Sequence, residues 1–144
     1  MVSLRTPPTL GIGAALVVLG LLLAPYLLVP EASAVRTYYG AGTVTPLVAG
    51  LFALVSIVIF AAGREDRTDP AVAAGAGLVF GAFGTLVALV WTLTIPNPDS
   101  LVGSLGSVRG IAATFLEYHR YLVVGATAAV AASGGWFARK LGLL

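Results

Sequence analysis

The centre of the chain carries one short, highly charged stretch, Gly63-Arg64-Glu65-Asp66-Arg67-Thr68-Asp69-Pro70. It holds five of the fourteen charged residues of the protein, and the sequence on either side of it is strongly apolar. A short cluster of mixed sign is typical of a solvated turn, whose exposed ion pairs add little stability. We therefore interpret it as the turn between two hydrophobic halves that enter and leave a lipid bilayer. Docking of a cytoplasmic partner to these charges is the alternative.

The composition of the 144 residues argues against a soluble domain. Hydrophobic residues make up 58% of the chain and charged residues 10%, whereas soluble domains contain about 25% charged residues. The net charge is only +2 and the basic residues are scattered, so no nucleic-acid-binding surface is indicated. Cysteine is absent, which excludes disulfides, thiol nucleophiles and cysteine-based zinc sites.

Four uncharged segments are long enough to cross a bilayer, because about twenty helical residues span the roughly 30 Å hydrocarbon layer. They are predicted at residues 10–29, 44–62, 71–95 and 121–138. Three of them follow a pair in which a capping residue precedes a proline: Thr6-Pro7, Thr45-Pro46 and Asp69-Pro70. Pro25 should kink or loosen the end of the first helix. The predicted fold is all-α, with residues 1–144 forming one integral membrane four-helix bundle of two consecutive transmembrane hairpins.

Two outer loops are predicted, at residues 31–43 and 97–110. Tyr38 and Tyr39 in the first loop, and Trp91 near the end of the third span, are expected at the level of the lipid headgroups. The basic residues on the predicted inner side are Arg5, Arg64, Arg67, Arg139 and Lys140, and those on the outer side are Arg36, Arg109 and Arg120. This excess predicts a multi-pass protein of the cell membrane with both termini in the cytoplasm.

The first span has an alternative interpretation as a secretory signal, with Ala32-Ser33-Ala34 as its cleavage site. Its apolar run of twenty residues is longer than the roughly 7 to 15 residues of a signal core. The sequence therefore favours a span that is retained.

Small residues are concentrated in the third and fourth spans, and Gly77, Gly81 and Gly84 are the clearest examples. Such residues let helix backbones approach closely in lipid, where packing replaces the hydrophobic effect between helices. We predict that they serve packing within the chain, with self-association as the alternative. The expected partners are the lipid bilayer and either a second copy or another membrane protein.

One stretch, Glu117-Tyr118-His119-Arg120-Tyr121, combines an acid, a histidine, an arginine and two phenols. A single histidine without a second one nearby does not make a zinc site, since such sites use three or four ligands. We interpret the stretch as an interface cluster that anchors the fourth span at the headgroups, and expect no catalytic residue, metal or cofactor. A membrane enzyme that uses Glu117 and His119 is the alternative.

The predicted spans have no charged residue in their central parts, which argues against an ion-coupled transporter. Nucleotide-binding and hydrolase motifs are also absent from the sequence. We therefore predict a non-enzymatic structural or accessory membrane protein. The alternative is a small oligomeric channel or permease for an uncharged solute.

Three stretches together resemble a family of small uncharacterised four-helix membrane proteins of halophilic archaea, a domain of unknown function. They are Arg36-Thr37-Tyr38-Tyr39-Gly40-Ala41-Gly42, Gly63-Arg64-Glu65-Asp66-Arg67 and Leu116-Glu117-Tyr118-His119-Arg120-Tyr121. The resemblance implies an archaeal cell membrane and four spans along nearly the whole chain. It transfers no functional residue, because that family has no assigned activity.

Overall fold

The computed structural model describes residues 4–29, 32–95 and 111–144. The helices in these ranges are α1 (Thr6–Leu28), α2 (Ala32–Gly40), α3 (Leu47–Arg64), α4 (Pro70–Thr94) and α5 (Ile111–Lys140). No strand occurs in this part of the chain. Four helices are long and apolar enough to cross a membrane, namely α1, α3, α4 and the part of α5 from Thr114 onward. The prediction of an all-α protein with four such helices is confirmed.

The four long helices form a ring in chain order, in which α1 also packs against α5. Neighbouring helices run antiparallel. Arg5 before α1 contacts Glu65 after α3, while a Cβ on Gly81 of α4 would meet Ala131 of α5. Many leucine and valine side chains remain exposed on the outer faces, for example Leu23 and Val58. Helices that are apolar on every side are expected where lipid covers the outward faces.

The structure corrects the first outer loop, because residues 32–40 form helix α2. This helix buries Val35, Tyr38 and Tyr39, and the two tyrosines are only 1% and 2% exposed. The two side chains therefore pack inside the protein, and their depth in a membrane stays a prediction. Positions i, i+3 and i+4 lie on one face of a helix, so packing of that face stabilises a helix too short to form alone.

Helix α5 starts at Ile111, before the residue 121 at which the fourth span is predicted to begin. Its described part that is long and apolar enough to cross a membrane is Thr114–Lys140, by length and composition. The cluster from Glu117 to Tyr121 therefore lies inside the helix. The predicted start near residue 121 came from counting about twenty residues back from Arg139-Lys140. A helix accommodates polar residues where neighbouring elements bury them. The predicted loop at 97–110 lies outside the described residues.

The helix starts are partly as predicted. The Asp69 side chain accepts a hydrogen bond of 2.9 Å from the Ala71 amide and caps α4. Thr6 is not the cap of α1, because Arg5 occupies that position without a side-chain hydrogen bond. In the charged turn, Asp66 adopts a left-handed conformation with φ of 57°, which aspartate tolerates better than most residues.

The glycines predicted to serve helix packing are all buried. A Cβ on Gly77 would collide with the Phe60 ring of α3, and one on Gly81 would lie 2.6 Å from the Cα of Ala131 on α5. Gly84 is less tightly enclosed, with its nearest neighbour, Thr127, at 3.7 Å. These contacts occur within one chain, and they bring α4 close to both of its neighbours.

Candidate functional site

The candidate site is built around Pro25 in the last turns of α1. Proline has no backbone N–H, so the carbonyl of Leu21, four residues earlier, loses its helical hydrogen-bond donor. Nε2 of His119 lies 2.5 Å from this oxygen, across the interface with α5. A carbonyl can only accept, so Nε2 carries the proton and donates it. Helix α5 thereby supplies the hydrogen bond that the proline removes.

The hydrogen bond from Nε2 to the Leu21 carbonyl also determines whether Nδ1 of His119 donates or accepts. When Nε2 of a neutral imidazole carries the proton, Nδ1 is an acceptor. The hydroxyl of Tyr38 lies 3.1 Å from Nδ1 and donates to it. His119 is fully buried, and both of its ring nitrogens are occupied by contacts to α1 and α2. In this arrangement neither nitrogen is free for a metal or a substrate.

Tyr39 makes a parallel contact next to the first. Its hydroxyl donates to the carbonyl of Leu22 at 2.5 Å. Two successive carbonyls in the turn before Pro25 thus accept hydrogen bonds from side chains of other helices. We call this set the polar clamp, and it comprises Tyr38, Tyr39 and His119 with the carbonyls of Leu21 and Leu22. In lipid, an unpaired backbone carbonyl costs several kcal/mol, so the hydrogen bond from His119 stabilises α1 at Pro25.

Aromatic rings pack around the polar clamp. The ring centroids of Tyr38 and Trp91 lie 5.2 Å apart in an edge-on arrangement, and those of Trp91 and His119 lie 6.3 Å apart. Tyr26 and Phe115 add rings 5.8 Å from Tyr39 and His119, respectively. Such pairs contribute about 0.5–1.5 kcal/mol each beyond burial of their area. Residues of α1, α2, α4 and α5 are therefore joined in one packed cluster.

Three buried polar atoms beside this cluster have no hydrogen-bond partner in the part of the chain that the structure describes. They are Nε1 of Trp91, Oγ1 of Thr92 and Nη1 of Arg120. Arg120 is 8% exposed, and its Nη2 donates to the Tyr121 hydroxyl at 3.1 Å. Its guanidinium also lies 4.6 Å from the centroid of the Tyr121 ring, within cation–π range. This arginine is therefore held against α5 by its neighbour.

The structure separates the five residues of the predicted interface cluster. Glu117, Tyr118 and Tyr121 are exposed, whereas His119 and Arg120 are buried. Successive helical residues point in directions about 100° apart, so one continuous stretch cannot present a single surface. Anchoring at the headgroups stays a prediction for the three exposed side chains. Among the described residues, no group of three or more His, Cys, Asp or Glu side chains could hold a metal ion.

Sequence reasoning missed Tyr38, Tyr39 and Trp91 as partners of His119. One signal was available in Pro25, because a proline inside an apolar helix leaves a carbonyl that needs a donor from elsewhere. His119 is the only histidine in the sequence, and its ring can donate while staying uncharged. Which helix would supply the donor depends on how the helices are arranged, and that information is not local.

Comparisons with known proteins identify a family but no activity. No curated protein and no solved structure matches the chain. One family model matches residues 1–142, which is almost the full length, and its description is a family of unknown function. That description does not indicate halophilic archaea or a four-helix membrane family, so both remain expectations from the resemblance. The chain belongs to the family of unknown function DUF7548.

Proposed function

We propose that the protein is a non-enzymatic structural or accessory component of the cell membrane, crossing it four times with both termini in the cytoplasm. The observation that carries this proposal is the use of His119. A general base or a metal ligand needs a nitrogen that can reach its substrate or ion. Both nitrogens of His119 are instead engaged in holding α1 and α2 against α5. The imidazole of His119 therefore has a structural role in helix packing.

The packing of the bundle interior supports the same conclusion. A cavity near its middle, lined by residues such as Val18, Phe52 and Thr127, has a volume of about 10 Å³. That volume is near the minimum needed for one water molecule. This cavity is too small for a solute to pass through the interior of a single chain. The second candidate, a channel or permease for an uncharged solute, would have to form between copies of the chain.

The proposed location rests on hydropathy and charge. Four helices have the length and composition of membrane spans, and five of the eight basic residues fall on the side assigned to the cytoplasm. Because the chain has no cysteine, Thr68→Cys and Thr43→Cys introduce single labels at opposite ends of the bundle. A membrane-impermeant maleimide should label Thr43→Cys in intact cells and Thr68→Cys only after lysis. The reverse pattern would overturn the orientation.

The experiment that tests the function is purification of the tagged full chain from its native membrane after mild crosslinking. An accessory subunit should yield a stoichiometric membrane-protein partner, whereas a self-sufficient structural protein should yield a defined homo-oligomer. The same preparation in liposomes should show no selective solute flux. Solute-selective flux from a defined oligomer would overturn the proposal in favour of the channel. Catalytic turnover that is lost in His119→Phe at unchanged folding would overturn it in favour of an enzyme.

A further inference from the structure

A second polar region lies at the end of the bundle opposite the polar clamp. There, α1 and α4 begin while α3 and α5 end, and a cavity of about 340 Å³ opens between them. Its lining includes Arg5, Arg64, Glu65 and Asp66, with Gly63 and Phe137 among the remaining residues. All four long helices, or residues directly next to them, therefore contribute to one cavity at the end of the bundle.

Two guanidinium groups are held in place at this cavity. Nη2 of Arg5 lies 2.8 Å from Oε1 of Glu65, and Nη1 of Arg64 contacts the same oxygen. Nε of Arg64 also donates to the Thr9 hydroxyl at 2.8 Å. The two cations thus share one carboxylate. The side chains of Arg5, Arg64 and Glu65 are 57%, 34% and 45% exposed, so the region is open to ligands.

Basic residues outnumber acidic ones at this end of the bundle, and the cavity lining itself holds two arginines and two carboxylates, Glu65 and Asp66. The basic residues of this end are Arg5, Arg64, Arg67, Arg139 and Lys140, and its acidic residues are Glu65, Asp66 and Asp69. Five positive charges against three negative charges leave an excess of +2. Guanidinium groups present a planar fork of N–H donors that matches the oxygen atoms of phosphate groups. Phe137 adds an apolar surface beside the charged groups.

The position of the cavity suits the headgroup of a lipid. It lies where the apolar parts of the four spans end, and basic side chains at this level attract anionic headgroups by about 1 kcal/mol per residue near the surface. From this geometry we infer that the cavity binds a phosphate-type oxyanion between Arg5 and Arg64, in competition with the Glu65 carboxylate. A phospholipid headgroup and free inorganic phosphate carry this chemistry alike.

The test uses the full-length protein in a neutral detergent, with two ligands measured in parallel. One arm measures retention of phosphatidylglycerol by native mass spectrometry, and the other measures thermal stabilisation by inorganic phosphate. Arg5→Gln and Arg64→Gln should each weaken binding about tenfold or more, the loss expected for a charge-assisted hydrogen bond. Arg67→Gln is the matched control, because it makes the same charge change at an exposed residue outside the cavity lining.

Removing the negative charge of Glu65, which competes with the ligand, should raise the affinity instead of lowering it. Glu65→Gln should tighten binding several-fold, whereas Glu117→Gln, an equal charge change at an exposed residue of the other end, should not. If Arg5→Gln fails to fold, Arg5→Lys keeps the charge without the fork and should bind more weakly than the unchanged protein.

The two arms distinguish the sources of the ligand. Retention of lipid without stabilisation by phosphate assigns the site to a headgroup, and stabilisation by phosphate alone assigns it to the free ion. Either result supports the inference if it depends on Arg5 and Arg64. Equal losses in Arg67→Gln, or no loss in either cavity variant, would show nonspecific attraction and overturn it.

Discussion

His119 on α5 replaces the hydrogen bond that Pro25 removes from α1. The two residues are far apart in the sequence, yet the imidazole donates to the Leu21 carbonyl that the proline leaves without a helical donor. Tyr38 then donates to the opposite ring nitrogen, so α2 is tied to the same contact. The backbone of α1 at Pro25 is thereby tied to two other helices.

This relationship predicts that the effects of His119 and Pro25 are not additive. His119→Phe keeps an aromatic ring but leaves the Leu21 carbonyl unpaired, and should destabilise the protein by about 1–3 kcal/mol. In the Pro25→Ala background, the amide at position 25 can donate to that carbonyl, so His119→Phe should cost less. Free energies of unfolding in mixed micelles, measured for all four proteins of the double-mutant cycle, give the coupling. Additive effects of the two substitutions would show that His119 does not replace the hydrogen bond that Pro25 removes.

The tyrosines of the polar clamp predict a contrast among conservative substitutions. Tyr38→Phe removes the donor to Nδ1 of His119, and Tyr39→Phe removes the donor to the Leu22 carbonyl. Each should lower the free energy of unfolding by about 0.5–1.5 kcal/mol, the net value of a typical hydrogen bond. Tyr118→Phe is the control, because Tyr118 is exposed, and it should change stability by less. Equal effects at all three positions would contradict the assignment.

The small residues between α4 and α5 predict a dependence on position. A Cβ on Gly81 would lie 2.6 Å from the Cα of Ala131, and one on Gly134 would lie 2.8 Å from the Cα of Leu78. Gly81→Ala and Gly134→Ala should therefore push backbones apart and destabilise the bundle by about 1–3 kcal/mol.

Gly125→Ala provides the comparison for this pair, because no atom lies within 4 Å of the added Cβ. It should be neutral or slightly stabilising, since alanine favours a helix more than glycine does. Thermal unfolding of the three variants in one detergent is the measurement. If Gly125→Ala were as damaging as Gly81→Ala, the outward face of α5 would be a contact surface rather than a free one.

The ion pairs at the other end of the bundle predict a dependence on pH. Hydrogen bonding and charge attraction from Arg5, with a smaller contribution from Arg64, lower the pKa of the Glu65 carboxyl. A lowered folded-state pKa means that the contact stabilises the protein above the carboxyl's unfolded-state pKa. That stabilisation is lost as the pH falls through the lower, folded-state pKa.

The corresponding measurement is the difference in melting temperature between the unchanged protein and Glu65→Gln across acidic and neutral pH. The difference should favour the unchanged protein at neutral pH, be small because the group is exposed, and vanish in acid. High salt should reduce it as well. A difference that grows on acidification would contradict the assigned contact.

The number of long apolar helices followed from the sequence because hydropathy is a local property. Each of the four stretches is long enough and apolar enough by itself, whatever surrounds it. The turn after α3 and the Asp69 cap were equally local, since proline, charge and capping chemistry act within a few residues. Gly77 and Gly81, for which a packing role is predicted, are buried in the structure.

Only the tertiary structure decided what His119, Tyr38 and Tyr39 do. By themselves these residues are amphipathic, and they suit a headgroup layer as well as a packed interior. Their burial depends on α2 lying against the bundle and on the Leu21 carbonyl facing α5. The hydrogen bond between His119 and Leu21 joins residues 98 positions apart, so no local pattern in the sequence predicts it. Local composition therefore determined which segments are membrane-compatible helices, whereas the arrangement of those helices determined which polar side chains meet.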